Sequence, residues 1–185
     1  MFINVVRPNV NNREAVVAHF EHCVAHTFTA EGAGEFTDEI REETQCKIDQ
    51  LDLDIQTKGK ERFFLLAQVE GRIIGTIAYG HADDRIRSLA KDKYEPGVEI
   101  GSMLIHPDFQ GKGVGTMMIS ALFLAMEAKG IETFCFDSGY KAAQKTWMKK
   151  FGQPEIVAKD YWGEGYDHMV WFRKLSDMTI GFHAG

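Results

Sequence analysis

The stretch Glu99-Ile-Gly-Ser-Met-Leu-Ile-His-Pro-Asp-Phe-Gln-Gly-Lys-Gly-Val-Gly-Thr116 joins an apolar strand to an apolar helix through three closely spaced glycines. Val98–Ile105 has the length and composition of a buried strand. The segment after Gly115 continues as apolar helix to about Lys129 and stops at Gly130. Between them, His106-Pro107-Asp108-Phe109 ends the strand, and Gly111, Gly113 and Gly115 line the turn. Without Cβ atoms the chain can bend sharply there and point successive N–H groups to one place. That place is also the positive end of a helix, so it can hold an anion with few basic side chains. Lys112 adds one charge. Glycines also serve plain turns, so the cluster alone leaves a ligand-free turn open. Two other phosphate loops fit poorly. No Gly-Lys is followed by Ser or Thr as a P-loop needs, and the glycine spacing is not that of a dinucleotide fingerprint.

Upstream, Phe2–Val6 reads as a short strand ended by Pro8, and Asn11 or Asn12 is placed to cap a helix through Ala15, Val16, His19, Cys23 and His26. After the break at Glu31–Gly34, Thr37 opens a second helix with Asp38 and Glu39 in its first turn. Ile40, Thr44, Ile48, Leu51 and Ile55 form its stripe, with acids on the other face. Phe63–Val69 and Ile73–Tyr79 are joined by Glu70-Gly71-Arg72 as a hairpin. Residues 81–97, with Pro96 and Gly97, read as a long loop with room for a short helix. Downstream come a strand (Ile131–Phe136), a helix from about Lys141 to Phe151, a short strand near Glu155–Ala158 and a last strand (His168–Leu175). No repeat or second domain is visible. Residues 1–175 therefore read as one α/β domain of the α+β kind, and 176–185 as a tail that frays or meets a partner.

The chain has 185 residues, enough for one sizeable core. Its net charge of −6 argues against nucleic acid as a partner. Residues 31–58 hold nine acids against three bases, while the rest balance at eighteen each, so all the excess lies in one early segment. No apolar run is long enough to span a membrane, and Met1–Pro8 lacks the build of a secretion signal. Cys23, Cys46 and Cys135 are odd in number, widely spaced and without a CxxC pair, which fits a cytoplasmic protein without disulfides or a thiolate metal site.

With these elements in order, the sequence resembles the GNAT superfamily of N-acetyltransferases. The family signature [RQ]-x-x-G-x-[GA] is met by Gln110-Gly-Lys-Gly113-Val-Gly115, and Leu104-Ile-His-Pro-Asp-Phe-Gln110 looks like the family's strand end. The element order matches from Phe2 to about Leu175. The resemblance implies a mixed, mostly antiparallel sheet of six to seven strands flanked by about four helices. It implies acetyl-CoA as cofactor, leaving as coenzyme A. The pyrophosphate would be held by the backbone N–H groups of Gln110, Gly111, Lys112, Gly113, Val114, Gly115 and Thr116, with the pantetheine arm beside Leu104 and Ile105. It further implies direct transfer of the acetyl group to an amine, with a backbone N–H polarising the thioester carbonyl in a gap between splayed strands. A binding module that holds acyl-CoA without turnover is the alternative reading.

Glu99, near the strand's start, is the first candidate for the base that leaves the amine neutral. Simple alternation puts it on one face with Gly101, Met103 and Ile105. His106 is a second candidate, or it shapes the Pro107 turn. The resemblance places the general acid at a tyrosine in the last helix. Met148 stands there instead, within Trp147-Met-Lys-Lys-Phe-Gly-Gln153, and methionine holds no proton to give. Tyr140 or water would substitute. Lys141, Lys145 and Lys149 share a helix face, either toward the cofactor's outer phosphate or toward solvent.

The acidic segment 31–58 lies where the family's acceptors enter, which suggests a small-molecule, cationic amine as acceptor, with a solvated acidic face as the plainer reading. His19, Cys23 and His26 share a helix face but lack a complete metal-ligand set. Tyr161 and Trp162, in a glycine-rich loop, are candidates for contact with substrate or with the second subunit of a homodimer.

Overall fold

Apolar runs lay down seven strands: β1 (Asn4–Val6), β2 (Arg62–Val69), β3 (Arg72–His81), β4 (Val98–Ile105), β5 (Thr133–Ser138), β6 (Ile156–Ala158) and β7 (His168–Lys174). The computed structural model describes residues 2–95 and 97–181. Five α-helices accompany the strands: α1 (Arg13–Ala30), α2 (Thr37–Thr57), α3 (Asp84–Ala90), α4 (Val114–Glu127) and α5 (Lys141–Phe151). The expected count was about four; α3 is the short helix within 81–97, capped by Asp83, whose side chain accepts from the Ile86 N–H at 2.7 Å. Pro96 lies outside the described residues.

The strands form one sheet in the order β1-β2-β3-β4-β5-β7-β6. Every neighbouring pair is antiparallel except β4 and β5. The β2–β3 hairpin turns through Glu70 and Gly71, both at positive φ (50° and 82°), the conformation a two-residue turn demands. On one face, α4 buries Met118, Leu122 and Phe123 against Ile77, Phe134, Phe136 and Trp171, with Trp147 and Phe151 of α5 packed against the same cluster. On the other, Val16 and Phe20 of α1 and Leu51 of α2 cover Phe64, Leu66 and Ala78, and Ile86 of α3 covers Cys135 and Val170.

Three expectations need correction. Asp54 of α2, counted with a solvated acidic face, is 1% exposed; it accepts from the Phe64 N–H and pairs with Arg7. Asn12 begins α1, yet its side chain makes no cap bond; it accepts from the Asn9 N–H instead. The described part of the C-terminal segment does not fray. Met178 and Ile180 pack on the α4-side core, and the Ser120 hydroxyl bonds the Gly181 carbonyl at 3.0 Å, which explains a buried serine in an apolar helix. Residues 182–185 lie outside the described residues.

Candidate active site

The site is made by a single change of pairing. β4 and β5 run parallel and meet only at Val98↔Phe134 and Glu99↔Cys135. Beyond that pair the strands part, and β4 from Ile100 to Ile105 has no partner on its β5 side among the described residues. β4 is also bulged. Thr76 pairs with Leu104 and Ala78 with Gly101, so Ser102 and Met103 together face Ile77, and Ser102 takes φ 49°. Strict alternation fails there. Val98, Ile100, Met103 and Ile105 pack toward α4, whereas Leu104 joins the α1–α2 core and Ser102 donates to Gln50 of α2 at 2.8 Å. Glu99 therefore does not share a face with Met103 and Ile105, because one extra residue flips the register.

The end of β4 delivers the glycine turn to the start of α4. Gly111 and Gly113 adopt φ 71° and 81°, with open space where a Cβ would stand at either. Gly113 is the N-terminal cap of α4; no side chain bonds to the freed N–H groups, and no acid occupies the first turn. These donors converge at a positive helix end with room above them, so the residues present fit a pyrophosphate. The Gln110 amide donates to the Ile105 carbonyl at 3.0 Å and ties the turn to the open strand edge. Lys112 lies over the Phe109 ring at 5.5 Å.

One contributor was missed. Lys150 of α5 donates to the Thr116 hydroxyl at 2.6 Å, placing an ammonium at the positive end of α4. Lys141, Lys145 and Lys149, spaced every four residues, are exposed, as the solvated-face reading expects. Lys141 lies over the Tyr166 ring at 3.9 Å.

Glu99 sits at the last pair before the strands part. It is 9% exposed, Oε2 accepts from the Asp83 N–H at 2.9 Å, and Arg62 approaches Oε1 at 3.9 Å. Burial pushes its carboxyl up to about 7, with Arg62 opposing and Asp137 and Asp83 adding to the rise. Arg62 is itself buried, and its Nε has no hydrogen bond among the described residues. Asp137 on β5, Arg85 and the buried His168 complete this end of the opening, with His168 Nε2 2.9 Å from Asp137 Oδ2. Sequence reading passed over all three. The only available signal was a charged residue closing the apolar run Phe134–Phe136.

Tyr140 caps α5 in sequence, with its ring edge on Phe28 at 5.9 Å. Burial raises its hydroxyl pKa, and Glu43 and Glu31 add to that. Glu31 also accepts from the Ala142 N–H at 3.0 Å, so an acid from the α1–α2 turn caps α5. Met148 packs against the α4-side core. Its side chain holds no proton for a leaving thiolate.

His106 lies at the far end of β4 from Glu99, about 20 Å along the strand, so the two cannot serve one reacting atom. Arg72 donates to His106 Nε2 at 2.7 Å and the ring stacks on His22 at 4.6 Å. Desolvation and Arg72 lower its pKa. It shapes the turn rather than joining Glu99. His19 points at the Leu104 carbonyl at 3.2 Å, and burial lowers it to about 4. No group of three or more His, Cys, Asp or Glu side chains able to hold a metal occurs among the described residues.

Four of the nine acids in the segment, Asp38, Glu43, Asp52 and Asp54, are held in ion pairs, and Glu31 and Glu43 are the members that bear on Tyr140. A shallow hollow of about 450 Å³ lies along α2, lined by Glu42, Gln45, Cys46, Asp49, Gln50 and Leu53. It reaches β4 through the Gln50–Ser102 bond.

The sequence profile of the Acetyltransferase (GNAT) family matches residues 26–153. No curated protein matches the sequence. Among solved structures, a GNAT-family protein from Desulfovibrio desulfuricans superposes with TM-score 0.71 at 14% identity, covering 94% of this chain and 99% of that one. PaiA N-acetyltransferase from Thermoplasma acidophilum, solved with coenzyme A, gives 0.67 at 15% identity over 94% and 99%. YncA from Salmonella typhimurium, solved with acetyl-CoA, gives 0.65 at 16% identity over 100% and 98%. At these identities the likeness is one of fold.

Proposed function

The chain belongs to the acetyltransferase (GNAT) family, and from that premise we propose that it moves the acetyl group of acetyl-CoA directly onto the amine of a small molecule. The observation that carries this reading is the parting of β4 from β5 immediately after Glu99, above a glycine turn whose N–H groups are free. Acetyl-CoA, whose coenzyme is present in two of the structural relatives, supplies an acyl carbon activated as a thioester. The N–H groups from Gly111 to Thr116, with Lys112 and Lys150, hold the diphosphate; the Gln110 N–H, expected among them, is given to the Pro107 carbonyl at 3.2 Å instead. The unpaired β4 edge around Leu104 and Ile105 aligns the pantetheine arm. A β4 N–H in the gap faces the carbonyl oxygen where charge develops. Fixing both reactants there accounts for much of the rate.

Glu99 receives the amine proton, directly or through water. A carboxyl that titrates near 7 is matched to that task at neutral pH. Because Met148 offers no proton, the leaving thiolate takes one from water or from Tyr140; a free thiol has a pKa of about 8.5, so little help is needed.

No helix among the described residues is long and apolar enough to cross a membrane. The three cysteines are free, which supports the reading of a cytoplasmic enzyme. The test is to incubate the protein with acetyl-CoA and a panel of small amines and follow free thiol. Amine-dependent thiol release that Glu99→Gln lowers by about a hundredfold is expected. Tight coenzyme A binding with no release for any amine would leave only a binding module.

A further inference from the structure

Asp137, His168 and Trp162 belong neither to the phosphate cradle nor to the Glu99 pair. Asp137 follows Cys135 by two residues, so it stands on the face shared with Glu99, just past the last β4–β5 pair and at the rim of the opening. His168 is 1% exposed and both its ring nitrogens are engaged. The Trp162 indole, which can only donate, lies 3.1 Å from Nδ1; the ring proton is therefore on Nε2 and is given to Asp137 Oδ2 at 2.9 Å. The arrangement requires Gly139, since a Cβ there would stand 2.6 Å from the indole nitrogen. Arg85 approaches the same carboxylate oxygen at 3.7 Å and lies over the Trp162 ring at 4.9 Å.

All of these contacts fall on Oδ2. Oδ1 has no hydrogen bond among the described residues, and the Asp137 side chain remains 21% exposed. Tyr161 and Trp162 flank His168, at 5.2 Å and 5.7 Å between ring centroids, and remain open to solvent at 45% and 51%. A carboxylate held in one orientation through Oδ2, with its second oxygen free and partly open to solvent, suits a primary ammonium group. Two residues along a strand span about 7 Å, a length that a short aliphatic diamine covers between Asp137 and the neighbourhood of Glu99.

We propose that Asp137, oriented by His168 and Trp162, binds a protonated amino group of the acceptor, so that the preferred acceptor is a diamine whose other nitrogen lies beside Glu99. The second half of this rests on the transfer reading above; the first half does not. Asp137 touches the acceptor, and His168 and Trp162 position it.

Calorimetric titration of putrescine and of butylamine into the protein–coenzyme A complex tests the proposal, because the two amines differ only in the second ammonium. Putrescine binding about tenfold more tightly is expected, with Asp137→Asn removing most of that margin and Trp162→Phe, which removes the indole donor while keeping a smaller aromatic ring, narrowing it by a smaller factor. Equal affinities in the wild-type complex overturn the proposal. So does an undiminished margin in Asp137→Asn with its circular dichroism intact. Should Asp137→Asn not fold, an unchanged margin in Trp162→Phe is the overturning result. If the margin exists and Asp137→Asn abolishes it while no amine is ever acetylated, the ammonium site stands and the transfer reading falls.

Discussion

Glu99 shows how one residue's chemistry follows from where a strand begins to part. Its folded carboxyl stays protonated up to about 7 because burial penalises the charge more than Arg62, at 3.9 Å, offsets it. An unfolded glutamate ionises from about 4.5. Between those values the folded state holds the extra proton, so this residue's contribution to stability falls as pH rises through the window and is flat above it. In urea unfolding from pH 4.5 to 7.5, the stability of the wild type relative to Glu99→Gln should fall by about 2–3 kcal/mol. His19 acts with the opposite sign. Its folded pKa near 4 lies below the ordinary 6.5, so it removes stability as pH falls through that range. Glu99→Gln therefore exposes the His19 slope rather than giving a level profile. In the same variant, the rise in kcat/KM with an inflection near 7 should disappear.

At the scale of the element, the glycine turn and the bulged strand place the donors and the gap. The positive φ of Gly113 (81°) lets α4 begin with its N–H groups bare, and the space above it is open. Gly113→Ala meets no atom, yet forces a Cβ into a left-handed conformation, so a loss of about 1 kcal/mol is expected by thermal unfolding. Coenzyme A affinity should fall more steeply, because the amide fan is disturbed at the position proposed for the diphosphate. Gly130, at φ 69° past the other end of α4, is the control. Gly130→Ala should cost similar stability without moving coenzyme A affinity in calorimetry. Equal affinity losses in both variants would mean that the α4 start holds nothing. Lys150 fits the same account, since an ammonium at a helix's positive end is unfavourable until an anion joins it.

Across the whole molecule, one ion pair with a buried carboxylate ties the helical layer to the sheet that carries the site. Asp54 is 1% exposed, accepts from the Phe64 N–H, and pairs with Arg7, which also donates to the Phe64 carbonyl. α2, β2 and the chain after β1 meet in that one contact. Desolvation raises the Asp54 carboxyl even beside Arg7. Asp54→Ala leaves a buried N–H and a guanidinium without their partner, and a loss of about 3 kcal/mol in urea unfolding is expected. Asp52 with Arg13 makes the comparable link between α2 and α1 at the surface, where Asp52→Ala should cost under about 1 kcal/mol.

The sequence by itself determined the elements, their order and the glycine turn that opens α4. Apolar periodicity and glycine spacing are local properties, and Gly111-Lys-Gly-Val-Gly115 keeps its meaning in any register. It also determined that α5 would end without the expected tyrosine. Tertiary structure alone decided what the charged residues do. Asp54 looked like its exposed neighbours on α2 until β2 packed over it, and Glu99 changed faces relative to Met103 because a bulge at Ser102 inserts one residue against Ile77. Asp137 and His168 are thirty-one residues apart and meet only because β5 and β7 pair. Burial, register and long-range pairing depend on every element at once, and a charge or an imidazole takes its chemistry from them.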